Sequence, residues 1–110
     1  MKIEVDVLER YLFERYQNWK NEQGLFLKLV EEMGEVAEII NMRVGNKKPD
    51  DNVDLQKELG TELADMIHYI VAIAAINDIN LTEIMLEKDK KASLKYNHNI
   101  DLETFIKENK

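Results

Sequence analysis

The sequence has no cysteine, which excludes disulfide bonds and thiolate metal sites. Any metal ion must be held by oxygen or imidazole ligands, and only His68 and His98 can supply imidazole. One proline and four glycines leave little material for turns, so we expect long helices with few loops. No apolar run approaches the roughly 20 residues that span a bilayer, and the N-terminus lacks a signal-peptide core. We therefore expect a cytoplasmic protein that does not enter the membrane.

Positive charge is also scarce. The 110 residues carry 15 lysines and arginines against 22 aspartates and glutamates, a formal net charge of −7. This charge opposes binding to a nucleic-acid polymer or an anionic membrane surface, but it is compatible with a small phosphorylated ligand that a metal ion carries. The length predicts a single domain, residues 1–110, with a core so modest that self-association is expected.

Apolar residues recur at three- and four-residue intervals through most of the chain, which predicts an all-α, four-helix bundle-like fold. Gly24 is expected to end the first helix, and Asp51 or Asn52 to cap the third. Lys47 to Asp50 is predicted to form the clear loop, and a last short amphipathic turn is predicted with Leu102, Phe105 and Ile106. The expected helices run from about Val5 to Asn21, Leu25 to Val44, Asp51 to Asn77 and Asn80 to Tyr96.

Apolar stripes on the first two helices define the expected core. The inward residues of the first helix are Val5, Leu8, Tyr11, Leu12 and Trp19. The inward residues of the second helix are Phe26, Leu29, Val30, Met33, Ala37 and Ile40.

Four acidic residues fall among apolar residues of the second and third helices. At about 100° per residue, Glu32 lies among Leu25, Val36 and Ile39, on an extension of the apolar arc of the second helix, and Glu35 lies one step toward its edge. Glu62 lies in the middle of the apolar stripe of the third helix, with Asp65 beside it. The three-residue spacing within each pair places both acids on one helical face.

Carboxylates directed into a helical interior repel one another, and desolvating them unpaired costs several kcal/mol per ion. A hard divalent cation, which prefers oxygen ligands, offsets this cost. The alternative is that the acids pair with lysines in structural salt bridges. Four acids in two apolar stripes at matched spacing favour a shared metal site over that alternative. Glu31 and Glu38 point toward solvent by the same angular measure and are interpreted as ordinary surface charges.

The two acidic segments together form a recognisable motif. Glu31-Glu32-Met33-Gly34-Glu35 is followed, after a spacer of 26 residues, by Glu62-Leu63-Ala64-Asp65, giving E-E-x-x-E and then E-x-x-D. With Leu-Val before the first half and Met-Ile-His-Tyr-Ile after the second, the region from Leu25 to Tyr96 resembles the MazG-like all-α nucleoside triphosphate pyrophosphohydrolases. This family is related to dimeric dUTPases and phosphoribosyl-ATP pyrophosphatases.

The resemblance implies an activity and a set of partners. The activity is Mg²⁺-dependent hydrolysis of nucleoside triphosphates between the α and β phosphates, with Mn²⁺ as a substitute ion. The products are a nucleoside monophosphate and pyrophosphate, and the expected role is house-cleaning of the nucleotide pool. A homodimer or homotetramer is implied as well.

The resemblance also assigns roles to individual acids. By the family pattern Glu32, Glu35, Glu62 and Asp65 bind the metal, and Glu31 assists either as an outer acceptor or by orienting the attacking water. These five residues are the expected catalytic set.

Basic residues of the fourth helix hold the phosphates in relatives of this kind. Here Lys88, Lys91 and Lys95 continue an apolar stripe and face the site under this interpretation, although lysine stems that cover a core edge fit the same pattern. Many relatives have Asn where Asp89 stands. Lys28, one turn before Glu32, either contacts phosphate or neutralises Glu32.

The sequence indicates the residues that would bind the nucleoside less clearly than those that would bind the metal. Trp19 can stack on a base while Asn18 or Gln17 reads its edge, but a tryptophan on an apolar stripe is more often a core residue, and that interpretation is favoured. His68 lies off the main stripe and is expected at the surface or behind the metal ligands.

Two other functions compete with hydrolysis. Asp65-Met66-Ile67-His68 loosely imitates the Glu-x-x-His element of ferritin-like di-iron proteins, although that architecture needs the element on two helices. A noncatalytic helical interaction module is the third hypothesis.

Overall fold

The computed structural model describes residues 1–45 and 53–110, which form five α-helices and no β-strand. The all-α prediction is confirmed, as are four main helices and a short helix after them. The predicted loop from Lys47 to Asp50 lies outside the described residues. The helices are α1 (Val5–Tyr16), α2 (Glu22–Arg43), α3 (Leu55–Ile76), α4 (Leu81–Lys95) and α5 (Leu102–Glu108).

Side-chain caps fix the starts of α2 and α3 and overturn two boundary predictions. The Asn21 side chain accepts a hydrogen bond from the Gly24 N–H at 2.9 Å, so Gly24 lies in the first turn of α2 and does not end α1. A Cβ at Gly24 would lie 2.5 Å from Asn21 Nδ2, and glycine therefore leaves room for this cap. Asp54 caps α3 by accepting from the Lys57 N–H, whereas Asp51 and Asn52 lie outside the described residues.

The helices α2 and α3 form an antiparallel pair. Asn77, at the end of α3, donates a 2.7 Å hydrogen bond to Glu22 at the start of α2, while Met42 and Leu55 line one cleft at the other end. The short helix α1 packs against α3, and α4 packs against α1 and α5. The residues that share the buried core are Leu12, Leu25, Val71, Ala72, Ala75 and Ile76.

Leu12 is the largest fully buried side chain among the described residues, with 0% exposure. We expect Leu12→Ala to lower the free energy of unfolding by about 3 kcal/mol, because it removes apolar contacts and leaves a cavity between α1 and α3. Urea titration measures this loss. Leu94→Ala is the matched control because Leu94 is 77% exposed, and its free energy of unfolding should change by less than about 0.5 kcal/mol.

The predicted inward stripe of α2 is wrong. Phe26, Val30, Met33 and Ile40 are about half exposed, whereas the helix packs against its neighbours through a second apolar arc that contains Leu25 and Ile39. Both arcs have helical spacing, so periodicity alone does not identify the one that faces the chain's own core. Tyr11 and Trp19 are also exposed rather than buried.

By length and composition alone, α3 is apolar enough to cross a bilayer, contrary to the expectation that no segment reaches that length. The core helix of a soluble protein meets the same criterion. Five of the buried apolar residues belong to α3, and its acids Glu62 and Asp65 lie within the apolar stretch.

Candidate metal centre

Three of the predicted acids converge between α2 and α3. Glu32 and Glu35 project from α2 and Glu62 projects from α3, and one carboxylate oxygen from each lies within 4.8 Å of the others. Their convergence follows from the antiparallel pairing, which sets the middle of α2 against the first half of α3. We call Glu32, Glu35 and Glu62 the acidic trio.

None of the lysines that form ion pairs in the described part of the chain pairs with a member of the acidic trio. Glu32 Oε2 and Glu62 Oε2 are buried and have no hydrogen-bond partner in the described part of the chain. Proton sharing with Glu32, then with Glu35, together with burial, raises the pKa of Glu62 from 4.5 to about 8. The raised pKa reflects the cost of placing a third negative charge beside Glu32 and Glu35. A divalent cation would bind the carboxylate oxygens that lack a partner and would neutralise their negative charge.

Asp65 lies one turn beyond Glu62 on α3 and is not part of the acidic trio. It is partly buried, and its charge acts on His68 and Tyr69, where it opposes the lowering of the His68 pKa and adds to the raising of the Tyr69 pKa. The structure therefore places Asp65 on the side of the site toward these aromatic residues. Its assignment as a metal ligand stays a prediction.

The structure packs His68 against two tyrosine rings, whereas the sequence predicted a position at the surface or behind the metal ligands. The Tyr16 hydroxyl lies 2.8 Å from His68 Nε2, and the imidazole ring makes edge contacts with the rings of Tyr16 and Tyr69. Burial, and then the charge of Arg15, lowers the His68 pKa. A signal for this position was present, because His68 precedes the core residues Val71 and Ala75 by three and seven residues on α3.

Glu31 and Lys28 form an exposed ion pair at the edge of the site. Lys28 Nζ lies 3.3 Å from Glu31 Oε2, and both side chains are mostly exposed. This pairing replaces the neutralisation of Glu32 by Lys28 that the sequence offered as one interpretation. Glu31 is exposed, as its angle on α2 predicts.

A cleft of about 380 Å³ opens beside the acidic trio. Glu35, Glu38, Glu58 and Glu62 line its polar side, and Ile39 is among its apolar residues. A larger cavity of about 550 Å³ lies between α1 and the turn from α3 to α4, and none of the trio lines it. The smaller cleft is the one relevant to the metal site because two members of the acidic trio line it.

The structure does not bring the lysines of α4 to the trio. Lys91 pairs with Glu87 on its own helix at 3.2 Å, and the Lys95 ammonium lies 5.4 Å from the centre of the Tyr96 ring. Lys88 is exposed on the same helix, beside Lys91. Since α4 packs mainly against α1 and α5, phosphate binding by these lysines stays a prediction.

Asp89 has a structural partner. Its carboxylate accepts a 2.6 Å hydrogen bond from the Leu102 N–H at the start of α5 and lies 3.5 Å from the Ser93 hydroxyl. An acceptor is needed at this position to hold the first turn of α5. This contact gives Asp89 a structural role at the junction of α4 and α5.

Trp19 is 63% exposed in the connection between α1 and α2, so the favoured interpretation as a core residue is wrong. Asn18 is exposed in the same connection. Base binding by either residue stays a prediction.

The arrangement suits a hard cation with oxygen ligands. All three ligand groups of the trio are carboxylates, and His68 is engaged with Tyr16 outside it. The ferritin-like alternative lacks support among the described residues, because a di-iron centre of that kind needs histidine ligands from two helices.

Comparison with known proteins identifies the same region of the chain. The profile of the MazG nucleotide pyrophosphohydrolase domain matches residues 20–100. The chain is also 29% identical over 76 residues to "Uncharacterized protein YpjD" of Bacillus subtilis (strain 168), a match that covers 69% of this chain and 68% of that protein. No solved structure matches. Since the profile spans most of the sequence and contains the acidic trio, the chain belongs to the MazG nucleotide pyrophosphohydrolase domain family.

Proposed function

We propose that this protein hydrolyses nucleoside triphosphates, including deoxynucleotides, between the α and β phosphates, releasing a nucleoside monophosphate and pyrophosphate with the help of Mg²⁺. The observation that carries the proposal is the acidic trio, whose buried oxygens of Glu32 and Glu62 have no partner among the described residues. Family membership supplies the reaction class, and the trio supplies a site on which a metal-bound polyphosphate can dock.

The trio is the proposed core of the metal site. Glu32 and Glu62 offer partly buried oxygens, Glu35 offers an exposed carboxylate at the mouth, and Asp65 completes the set by the family pattern. Mg²⁺ bound there would neutralise polyphosphate charge, orient the α-phosphorus and make a water molecule more acidic, so that no serine or cysteine nucleophile is needed. Mn²⁺ prefers similar oxygen ligands and would substitute.

The other residues are proposed to position the reactants. Glu31 is exposed beside Lys28, so its carboxylate is free to accept a proton or hydrogen bond from the attacking water once Lys28 turns toward phosphate. Lys88, Lys91 and Lys95 would hold the phosphates only if α4 of the same or another subunit approaches the trio. Trp19 and Asn18 are exposed and available for the base.

Pyrophosphate release is the direct test. Purified protein should convert NTPs, dNTPs or modified nucleotides to monophosphate and pyrophosphate in the presence of Mg²⁺, and EDTA should remove this activity because the trio then lacks its cation. Product analysis by ion-exchange chromatography separates pyrophosphate from single phosphate. Release of inorganic phosphate alone, or no turnover of any nucleotide in the panel, would contradict the proposal.

The cellular setting belongs to the same proposal. We infer a cytoplasmic enzyme that removes surplus or noncanonical nucleotides and works as a homodimer or homotetramer. The net charge of −7 opposes binding to nucleic-acid polymers and is compatible with a small nucleotide that a metal ion carries.

A further inference from the structure

Three ring side chains of α1 and α3 meet beside the acidic trio. The Tyr16 hydroxyl lies 2.8 Å from His68 Nε2, and the centre of the His68 ring lies 5.8 Å from that of Tyr16 and 5.1 Å from that of Tyr69. These contacts join the end of α1 to the middle of α3. We call Tyr16, His68 and Tyr69 the aromatic junction.

The aromatic junction adjoins the acidic trio at Tyr69. Burial, then the charges of Tyr16 and Glu32, raise the pKa of Tyr69, and the charge of Lys28 opposes this rise. Because Coulomb interactions weaken with distance, these groups lie near the Tyr69 hydroxyl. The Tyr69 hydroxyl therefore lies between a carboxylate of the trio and the end of α1.

Arg15 brings a positive charge from α1 to the aromatic junction. Its Nη1 atom donates to the Tyr11 hydroxyl at 3.4 Å, and hydrogen bonds with Tyr11 and then Tyr16 raise the pKa of Arg15. Arg15 is exposed, and none of the ion pairs between described residues includes it. A guanidinium group carries more N–H donors than two hydroxyls accept, so Arg15 keeps donors for an anion.

The cleft of about 380 Å³ on the other side of the trio is acidic. It is lined by Glu35 and Glu62 of the trio, by Glu58 and by apolar residues. None of the described residues that line it is a lysine or an arginine. A polyphosphate that entered this cleft would meet like charge and no described cation.

The cleft and the aromatic junction lie at opposite ends of the trio along the helix pair. On α3 the cleft residues end at Glu62, and His68 and Tyr69 follow them. On α2 the order is reversed, because the cleft residues begin at Glu35 and Lys28 comes before them. Since the two helices are antiparallel, both orders place the cleft at one end and the junction at the other. The charge around the trio is therefore asymmetric.

We propose that the phosphate chain of a bound nucleotide runs from the acidic trio toward the aromatic junction, where Arg15 binds the phosphates that leave as pyrophosphate. This inference rests on the proposed hydrolysis, because it assigns a direction to the substrate of that reaction. The acids of the cleft repel the phosphate chain, whereas Arg15 attracts it. Unlike the lysines of α4, Arg15 reaches this end of the trio within a single chain.

The reaction itself would strengthen this contact. When water attacks the α-phosphorus, with Glu31 as the proposed proton acceptor, the bond from that phosphorus to the bridging oxygen breaks. The bridging oxygen leaves on pyrophosphate with the electron pair, so negative charge grows on the group that Arg15 holds. A guanidinium group binds two phosphate oxygens through paired hydrogen bonds and stabilises charge of this kind.

Pyrophosphate is the probe for this contact, and calorimetric titration at saturating Mg²⁺ measures its affinity. Arg15→Gln should weaken pyrophosphate binding about tenfold or more, because a charged donor group is lost. The affinity for Mg²⁺ alone should not fall, because Arg15 is a cation outside the acidic trio. Arg10→Gln is the matched control and should leave pyrophosphate affinity unchanged. It changes an exposed arginine of the same helix that lines the larger cavity, away from the trio.

Two more measurements separate a phosphate contact from a structural effect. Arg15→Lys keeps the charge but loses the paired donors, so its pyrophosphate affinity should lie between those of the natural chain and Arg15→Gln. Binding of a nucleoside monophosphate should be the same in all three proteins, because a monophosphate lacks the leaving phosphates. The melting temperature of Arg15→Gln should change by less than about 4 °C, since the side chain is exposed.

Several outcomes would overturn the proposal. They are a natural chain that binds no pyrophosphate in Mg²⁺, equal pyrophosphate affinity in Arg15→Gln and the natural chain, an equal loss in Arg10→Gln, and an equal loss of monophosphate binding. Nucleotide hydrolysis by the natural chain is a separate readout. If the natural chain hydrolyses nucleotides and Arg15→Gln binds pyrophosphate normally, only this inference fails. If the natural chain lacks hydrolysis and Arg15→Gln still loses pyrophosphate binding, the proposed function fails and the phosphate contact stands.

Discussion

Glu62→Gln is expected to lower kcat/KM for nucleotide hydrolysis about 10³-fold or more. An amide oxygen carries no formal charge, so the variant loses a metal ligand whose cation is worth several kcal/mol of transition-state stabilisation, and each 1.36 kcal/mol is a factor of ten. Glu32→Gln should have the same effect because it removes the other buried oxygen without a described partner. Initial rates of pyrophosphate release at saturating Mg²⁺ measure the loss.

Glu62→Gln should make the metal-free protein more stable although it lowers the activity. At neutral pH, folding of the metal-free chain requires Glu62 either to take up a proton or to add a third negative charge to the site. Glutamine avoids both costs, so Glu62→Gln should raise the melting temperature in EDTA while it removes activity. Glu14→Gln is a suitable control because Glu14 is an exposed acid on α1, outside the acidic trio. A variant that is both inactive and less stable than the natural chain would indicate misfolding and would not support a metal-binding role.

Asp65→Asn tests whether the metal site is limited to the acidic trio or also includes Asp65, as the family pattern predicts. Asp65 lies outside the trio, yet the pattern predicts that it binds the metal, so we expect this variant to lose turnover as well. Retained activity in Asp65→Asn, with loss in Glu32→Gln, would restrict the metal site to the trio.

The sequence predicted the helices and the position of the trio because both depend on local periodicity. Apolar spacing identifies a helix, and angular placement put Glu32 on the side of Leu25 and Ile39 and Glu62 in the apolar stripe of α3. The structure brings these two acids together between the helices. The residue that caps α3 was harder to predict from the sequence. Asp51, Asn52 and Asp54 are all residue types that cap helices, so the sequence alone does not distinguish them, and Asp54 is the cap in the structure.

The failed predictions concern contacts between elements rather than the elements themselves. The sequence of α2 contains two apolar arcs, and a single chain uses only the one with Leu25 and Ile39 for its own core. Trp19 was assigned to a helical stripe, but α1 ends at Tyr16, so Trp19 follows the helix and is exposed. The hydrogen bond between Tyr16 and His68 joins residues 52 positions apart in the sequence, and helical periodicity carries no information over that separation.

The raised pKa of Glu62 gives the metal-free protein a defined pH dependence. An unfolded carboxyl group ionises near 4.5, whereas the folded site releases its proton near pH 8. Between these values the folded protein holds more protons than the unfolded chain, so its stability falls as pH rises through this window. Below about pH 4.5 both states hold the proton, and above about pH 8 both have lost it, so this group contributes no slope outside the window.

The metal affinity should rise with pH, whereas the stability of the metal-free protein falls, because both depend on the proton of Glu62. A cation that binds the trio below pH 8 must displace the proton of Glu62. Its affinity should therefore rise nearly tenfold per pH unit well below pH 8, less steeply as pH 8 is approached, and by about 50-fold in all between pH 6 and pH 8. Calorimetric titration with Mn²⁺ in buffers of different ionisation enthalpy measures both the affinity and the proton release, which should be close to one per ion at pH 7. A pH-independent affinity would contradict this linkage. Glu62→Gln should abolish the pH dependence together with most of the affinity, because the proton and the cation compete for the same carboxylate.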